Sequence, residues 1–168
     1  ISSIFPPHLT TLDAYSFVPC GYSSNALIKW GEQDNSGEGY HTIHVTPEEG
    51  WSYASFECNV PLTIKHSPSS VQAKKEIPTI QELVRRVVAI FQPTRLSLTL
   101  FISAEDNEAS ESEAGASAVE LAQRAFKSAL EETPFTPTSS SPVKYRRTDK
   151  INYEFGGYDL AFASFELK

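Results

Sequence analysis

Two short runs hold most of the side chains in this sequence that are fit for chemistry. Phe17–Ser23 (FVPCGYS) brings an aromatic ring, a thiol and a hydroxyl into seven residues. Pro19 and Gly21 punctuate it as a turn, since proline presets φ and glycine accepts positive φ. Ser23 reads either as ordinary turn chemistry or as a hydroxyl offered to a reaction. In the second run, His41–Glu48 (HTIHVTPE), His44 and Glu48 lie four residues apart, on one side of an extended chain. A histidine with a carboxylate has the composition of a general base and its orienting partner. Extended geometry separates the two by up to about 13 Å, so contact needs a bend, which Pro47 could supply. The alternative is a half-buried histidine and an exposed loop acid. His41 faces the other way and has no partner that the spacing names. Glu57, between Phe56 and Cys58, is either a carboxylate in apolar surroundings that needs a counter-charge or hydrogen bonds, or a solvent-facing acid on an outer sheet face.

Other reaction classes leave no mark. There is no GxGxxG, P-loop, HExxH or GxSxG pattern. Cys20 and Cys58 form no CxxC pair and have no zinc spacing, so no metal is expected and two free thiols are the preferred reading over a disulfide. The net charge of −7 argues against nucleic acid. The one dense basic group, Lys144, Arg146, Arg147 and Lys150, reads as a solvated strand and turn. No apolar stretch approaches the length of a membrane span and no signal peptide is evident, which predicts a cytoplasmic protein. The sequence contains no methionine and opens on Ile1, as a processed chain or an excised segment would.

The elements that must position these residues are mostly strands. Tyr40, Thr42, His44, Thr46 and Glu48 alternate with His41, Ile43, Val45 and Pro47. Ala54, Phe56 and Cys58 oppose Tyr53, Ser55, Glu57 and Asn59. Leu96, Leu98, Leu100 and Ile102 oppose Ser97, Thr99 and Phe101. Period two predicts strands with one apolar and one polar face. Asp13–Phe17, Ile151–Phe155 and Tyr158–Leu167 read the same way. Ile80–Phe91 is helical in spacing, opened by a Thr79/Glu82 capping pattern and stopped by Pro93. A second helix falls within Val119–Glu132, with Ala122, Ala125, Phe126 and Ala129 inward. Residues 31–39 read as a polar hairpin loop, and residues 61–78, 105–117 and 133–142 as flexible connections. The order predicts an α+β fold: an antiparallel sheet with helices on one face. The other face, carrying Tyr, Thr, His, Glu and Ser, meets water or a polar partner surface.

Taken in order, the strand into FVPCGYS, the hairpin, YHTIHVTPE and WSYASFE closely resemble the eukaryotic S-adenosylmethionine decarboxylases. ISSIFPP resembles the approach to the first motif, and INYEFGGYDLAFASFELK resembles that family's C-terminal strand pair. The loop at residues 31–39 and the run SYASFE suggest a fungal or related source. The resemblance implies a four-layer αββα sandwich of two related halves, with residues 1–168 forming most of the second. It implies decarboxylation of S-adenosylmethionine for spermidine and spermine synthesis. The cofactor is a pyruvoyl group, made by self-cleavage at an internal serine, whose carbonyl forms a Schiff base with the substrate amine and acts as electron sink.

Under that resemblance Phe17 stacks on the adenine ring and Glu48 accepts from the ribose hydroxyls. Ser23 and His44 belong to the self-processing machinery, with His44 as base. Glu57, Phe101 and Tyr158 match positions around a site for putrescine, the activator of many members. The cleavage-site serine, the upstream catalytic acids and the donor cysteine are absent, so this chain alone is expected to be inactive. The N-terminal half of the same protein is the implied partner, and a homodimer is left open. A second reading is a catalytically dead relative that activates a decarboxylase subunit. A third is an independent structural domain.

Overall fold

Period-two alternation across residues 10–58 resolves into four strands. The computed structural model describes residues 3–31, 36–63, 76–104, 115–132 and 143–168. The connections expected at 61–78, 105–117 and 133–142 fall largely outside them, as do residues 32–35 of the hairpin loop. Two compact units emerge, Ile1–Thr79 and Ile80–Lys168.

In the first unit β1 (Thr10–Ser16), β2 (Tyr22–Trp30), β3 (Gly37–Glu48) and β4 (Trp51–Cys58) lie side by side in that order, all antiparallel. Short connections between antiparallel neighbours enforce this meander. The β3–β4 hairpin turns on Glu49 and Gly50, with Gly50 at φ +78°, where a side chain would be strained. One face buries Ser24, Ala26 and Ile28 of β2 with His41 and Ile43 of β3. Ile4 and Phe5, ahead of a short 3₁₀ turn at Pro7–Leu9, are buried as well. Phe5 stacks on His41 at 5.6 Å between ring centroids, and Phe56 leans on the same ring at 5.5 Å. His41, which the spacing left without a partner, is thus a core ring between two aromatics. Its Nδ1 is buried without a hydrogen-bond partner, and burial pushes its pKa below the usual histidine value.

The second unit contains α1 (Ile80–Phe91), β5 (Arg95–Ser103), α2 (Ala118–Lys127), β6 (Tyr145–Phe155) and β7 (Tyr158–Leu167). Its strands are antiparallel in the order β5-β7-β6. α1 buries Ile80, Leu83, Val84 and Val88, the expected stripe. Ser117 caps α2, its hydroxyl accepting from the Glu120 amide at 3.2 Å. α2 runs into a π-helical turn, Ser128–Glu132. Arg85 on α1 donates to the carbonyls of Ala129 and Ser128 at 3.1 and 3.3 Å, supplying partners at a helix end where carbonyls lack them. α2 lies over β7, whose Ala161, Ala163 and Phe165 are buried. Gln123, a polar residue on that inner side, fastens the helix to the strands. Its amide nitrogen donates to the Ile151 and Phe162 carbonyls and to Asn152 Oδ1, all within 3.3 Å.

The α+β class, the antiparallel pairing and the helices on one sheet face agree with the sequence reading. Among the described residues the strands divide into two sheets, a partition that alternation does not reveal. The outer face of the second sheet is mixed: Phe101, Ile151, Tyr153, Phe155 and Tyr158 are exposed toward one end, and Arg95, Ser97 and Thr99 toward the other. Ile151, Tyr153 and Phe155 share this face because the bulge between Arg147 and Asp149 resets the phase of β6. Of the basic group, Arg146 pairs with Glu166 at 3.6 Å, and Arg95 joins the same carboxylate at 3.2 Å. Both cysteines are free.

Candidate functional site

Register decides which polar side chains meet. Directly opposed residues on antiparallel strands share a face, and their Cβ atoms lie about 5 Å apart. On the exposed face of the first sheet one row reads Tyr15, Ser23, His44, Ser55 across the four strands. The next row reads Asp13, Asn25, Thr42, Glu57. Ser23 and His44, 21 positions apart in sequence, are therefore cross-strand neighbours, and Ser23 Oγ lies 3.0 Å from His44 Nδ1. If Nδ1–H donates to the hydroxyl, Nε2 keeps a lone pair and can take a proton. If the hydroxyl donates to Nδ1, the serine oxygen gains basic character. Either tautomer makes the pair a proton-transfer unit.

The FVPCGYS turn follows β1. The Phe17 amide donates to the Gly21 carbonyl at 2.9 Å. Gly21 has φ +117°, and a Cβ there would lie 3.4 Å from Phe17 Cβ and Cδ2. The positive φ is what favours glycine here. Phe17 is half exposed, and its ring meets Tyr15 edge-on, with centroids 4.9 Å apart at 69°. Glu48 closes β3 opposite Trp51, which is 74% exposed. Phe17 and Glu48 occupy the same end of the sheet, with β2 between their strands. That spacing is about 10 Å across the strands, a span a nucleoside can bridge. The Glu48 carboxylate makes no hydrogen bond or ion pair with a described residue, His44 included.

Ser23, His44, Phe17 and Glu48 thus stand at one end of one sheet. Glu57 is exposed on the same face, one row further along and opposite Thr42. Phe101 and Tyr158 belong to the second sheet, where they are diagonal neighbours on the outer face: Phe101 opposes Leu160, and Tyr158 lies two residues before it. Sequence reasoning missed Tyr15 and Ser55, which flank the Ser23–His44 pair on either side. The signal available was the hairpin register itself, which residue order alone does not fix. Among the described residues no group of three or more His, Cys, Asp or Glu could hold a metal. Among the described residues no helix is long and apolar enough to cross a membrane.

The sequence model of the family described as adenosylmethionine decarboxylase matches residues 1–166. The S-adenosylmethionine decarboxylase proenzyme of Saccharomyces cerevisiae is 30% identical over 156 residues, covering 93% of this chain and 30% of the relative. The proenzyme of Xenopus laevis is also 30% identical over 156 residues, covering 93% of this chain and 33% of its own. S-adenosylmethionine decarboxylase proenzyme 4 of Arabidopsis thaliana is 36% identical over 92 residues, 55% of this chain and 21% of the relative. The chain spans about a third of the length of the curated relatives it matches.

Proposed function

This chain belongs to the adenosylmethionine decarboxylase family, and from that premise we propose that it is the C-terminal part of a decarboxylase acting on S-adenosyl-L-methionine to supply the aminopropyl donor for spermidine and spermine. The observation that carries this reading is the Ser23–His44 pair, a hydroxyl and an imidazole 3.0 Å apart on an exposed sheet face. It is the kind of pair that self-processing of a proenzyme requires. His44 takes up the proton released when the new pyruvoyl end forms. Ser23 holds the ring in place through Nδ1.

The pyruvoyl group, formed from a serine outside these 168 residues, supplies the electron sink for loss of the carboxylate. The residues present fit work beside such a group, since the pair offers proton transfer without a metal. Phe17 presents an aromatic face to the adenine ring, which suits a ligand that also carries a sulfonium charge. Glu48, unpaired and exposed, accepts from the ribose hydroxyls. By the family resemblance, Glu57 as a carboxylate on the first sheet, and Phe101 and Tyr158 as rings on the second, are each candidates to contact the dication putrescine. By the same resemblance, residues 1–168 correspond to most of the second half of an αββα sandwich. The N-terminal half covers the exposed faces of both sheets, and the exposed rings on the second sheet support this. The protein works in the cytoplasm, and homodimers are compatible with the open edges of the sheets.

The test is intact-mass analysis of the full gene product, with an assay of carbon dioxide release from carboxyl-labelled S-adenosylmethionine. Two chains, one beginning with a pyruvoyl group, together with decarboxylation are the expected result. A single uncleaved chain that only raises the activity of another decarboxylase subunit would instead identify a regulatory relative.

A further inference from the structure

Phe17 has to present one ring face to a planar base, yet it sits half exposed just past the end of β1. An exposed side chain exchanges rotamers within nanoseconds, so a ring in that position needs a brace. The backbone of Phe17 is held, since its amide donates to the Gly21 carbonyl at 2.9 Å, but that bond leaves the ring free to turn. Tyr15 meets the same ring edge-on at 4.9 Å. Tyr15 is 65% exposed and its hydroxyl makes no hydrogen bond with a described residue, so its contact with Phe17 is through the ring. In register it lies directly opposite Ser23, with Ser23 in turn opposite His44. One side chain therefore touches the aromatic platform and flanks the proton-transfer pair.

We infer that Tyr15 is a positioning residue of the nucleoside site, holding the Phe17 ring in the orientation that receives the base. This deepens the proposed function and rests on its assignment of Phe17. The edge-on geometry orients Phe17 because a T-shaped aromatic pair is favoured over a splayed one. The ring does this work and the hydroxyl does not.

The experiment uses the full-length, self-processed protein. Tyr15→Phe, Tyr15→Leu, Tyr15→Ala and Phe17→Ala are compared for the KM of S-adenosylmethionine, for kcat, for the processed fraction and for thermal midpoint. Tyr15→Phe keeps KM within twofold of the parent. Tyr15→Leu and Tyr15→Ala raise KM roughly three- to tenfold, the range of one aromatic pair, with kcat within twofold and processing intact. Leucine keeps bulk on the strand, so it supplies the answer if alanine prevents folding. Phe17→Ala raises KM at least as much. Should Phe17→Ala leave KM unchanged, the assignment of Phe17 fails and the inference falls with it. Should Phe17→Ala raise KM while Tyr15→Leu does not, the role of Tyr15 alone is refuted. Loss of kcat and of processed chain in step with KM, or a phenylalanine variant as impaired as leucine, also overturns it.

Discussion

The hydroxyl of Ser23 and the Nδ1 of His44 meet at 3.0 Å across the β2–β3 ladder. Removing either partner should slow conversion of the full-length proenzyme. A positioned base contributes about 10²–10⁴-fold, so His44→Ala is expected to slow pyruvoyl formation by at least about a hundredfold. Ser23→Ala removes one hydrogen bond that orients the ring, and about tenfold is expected. Band ratios on denaturing gels, followed by intact mass, measure both. Normal processing of His44→Ala would remove the role assigned to that residue.

His41 carries a pH dependence of its own. Its ring is held between Phe5 and Phe56, and burial lowers its pKa below 6.5. The unfolded chain then binds the proton more readily than the folded one. The stability contributed by neutral His41 is complete above pH 6.5, and it is lost as pH falls through 6.5 toward the lower folded value. Urea midpoints of the full-length protein should fall between pH 7.5 and pH 5. His41→Phe keeps a ring in the stack and should flatten that slope. An unchanged slope in this variant would assign the acid sensitivity to other groups.

Gln123 ties α2 to β6 and β7 through a nitrogen that meets three oxygens. Gln123→Leu leaves those carbonyls without their donor and should cost about 1–3 kcal/mol in urea unfolding. Gln123→Glu places a carboxylate against oxygens only and should cost more than leucine at pH 7. Equal stabilities for the two variants would contradict the hydrogen-bonding role.

Cys58 is a thiol that ordinary reagents should miss. Burial pushes its pKa up to about 11, although the Val60 amide donates to the sulfur at 3.3 Å. At pH 8 only about one thiol in a thousand would be ionised, and the thiolate is the reactive form. Peptide mapping after brief iodoacetamide treatment of the folded protein should find Cys58 unmodified, and modified once the chain is unfolded in urea.

Much of this fold could be read from residue order alone, because period two and period 3.6 are local signals. α1 begins at Ile80 and ends at Phe91 as its apolar spacing requires. The two faces of β3 separate as the alternation predicts, with His41 and Ile43 buried and Tyr40 and His44 exposed. Partnership was harder. Nothing near His41 in sequence announces Phe5, 36 positions away, and nothing near Ser23 announces that His44 will stand opposite it. Such contacts depend on hairpin register, which depends on loop length. Gln123 gives no local signal of its role either. A polar residue among inward alanines looks like an interruption of the stripe, whereas strand carbonyls beneath the helix give it acceptors. The strand expected at Ile151–Phe155 starts earlier, at Tyr145, because a bulge between Arg147 and Asp149 breaks the alternation ahead of it.

The row Tyr15, Ser23, His44, Ser55 sets a rule for how the gene can change length. Deleting one codon between Ser23 and Trp30, or between Gly37 and His44, would move one member of the pair to the buried side, because side chains alternate without slack. Codons gained or lost in the loop between Trp30 and Gly37 leave both strands in phase. Functional length variants should therefore place their insertions and deletions in that loop and spare the strands on either side.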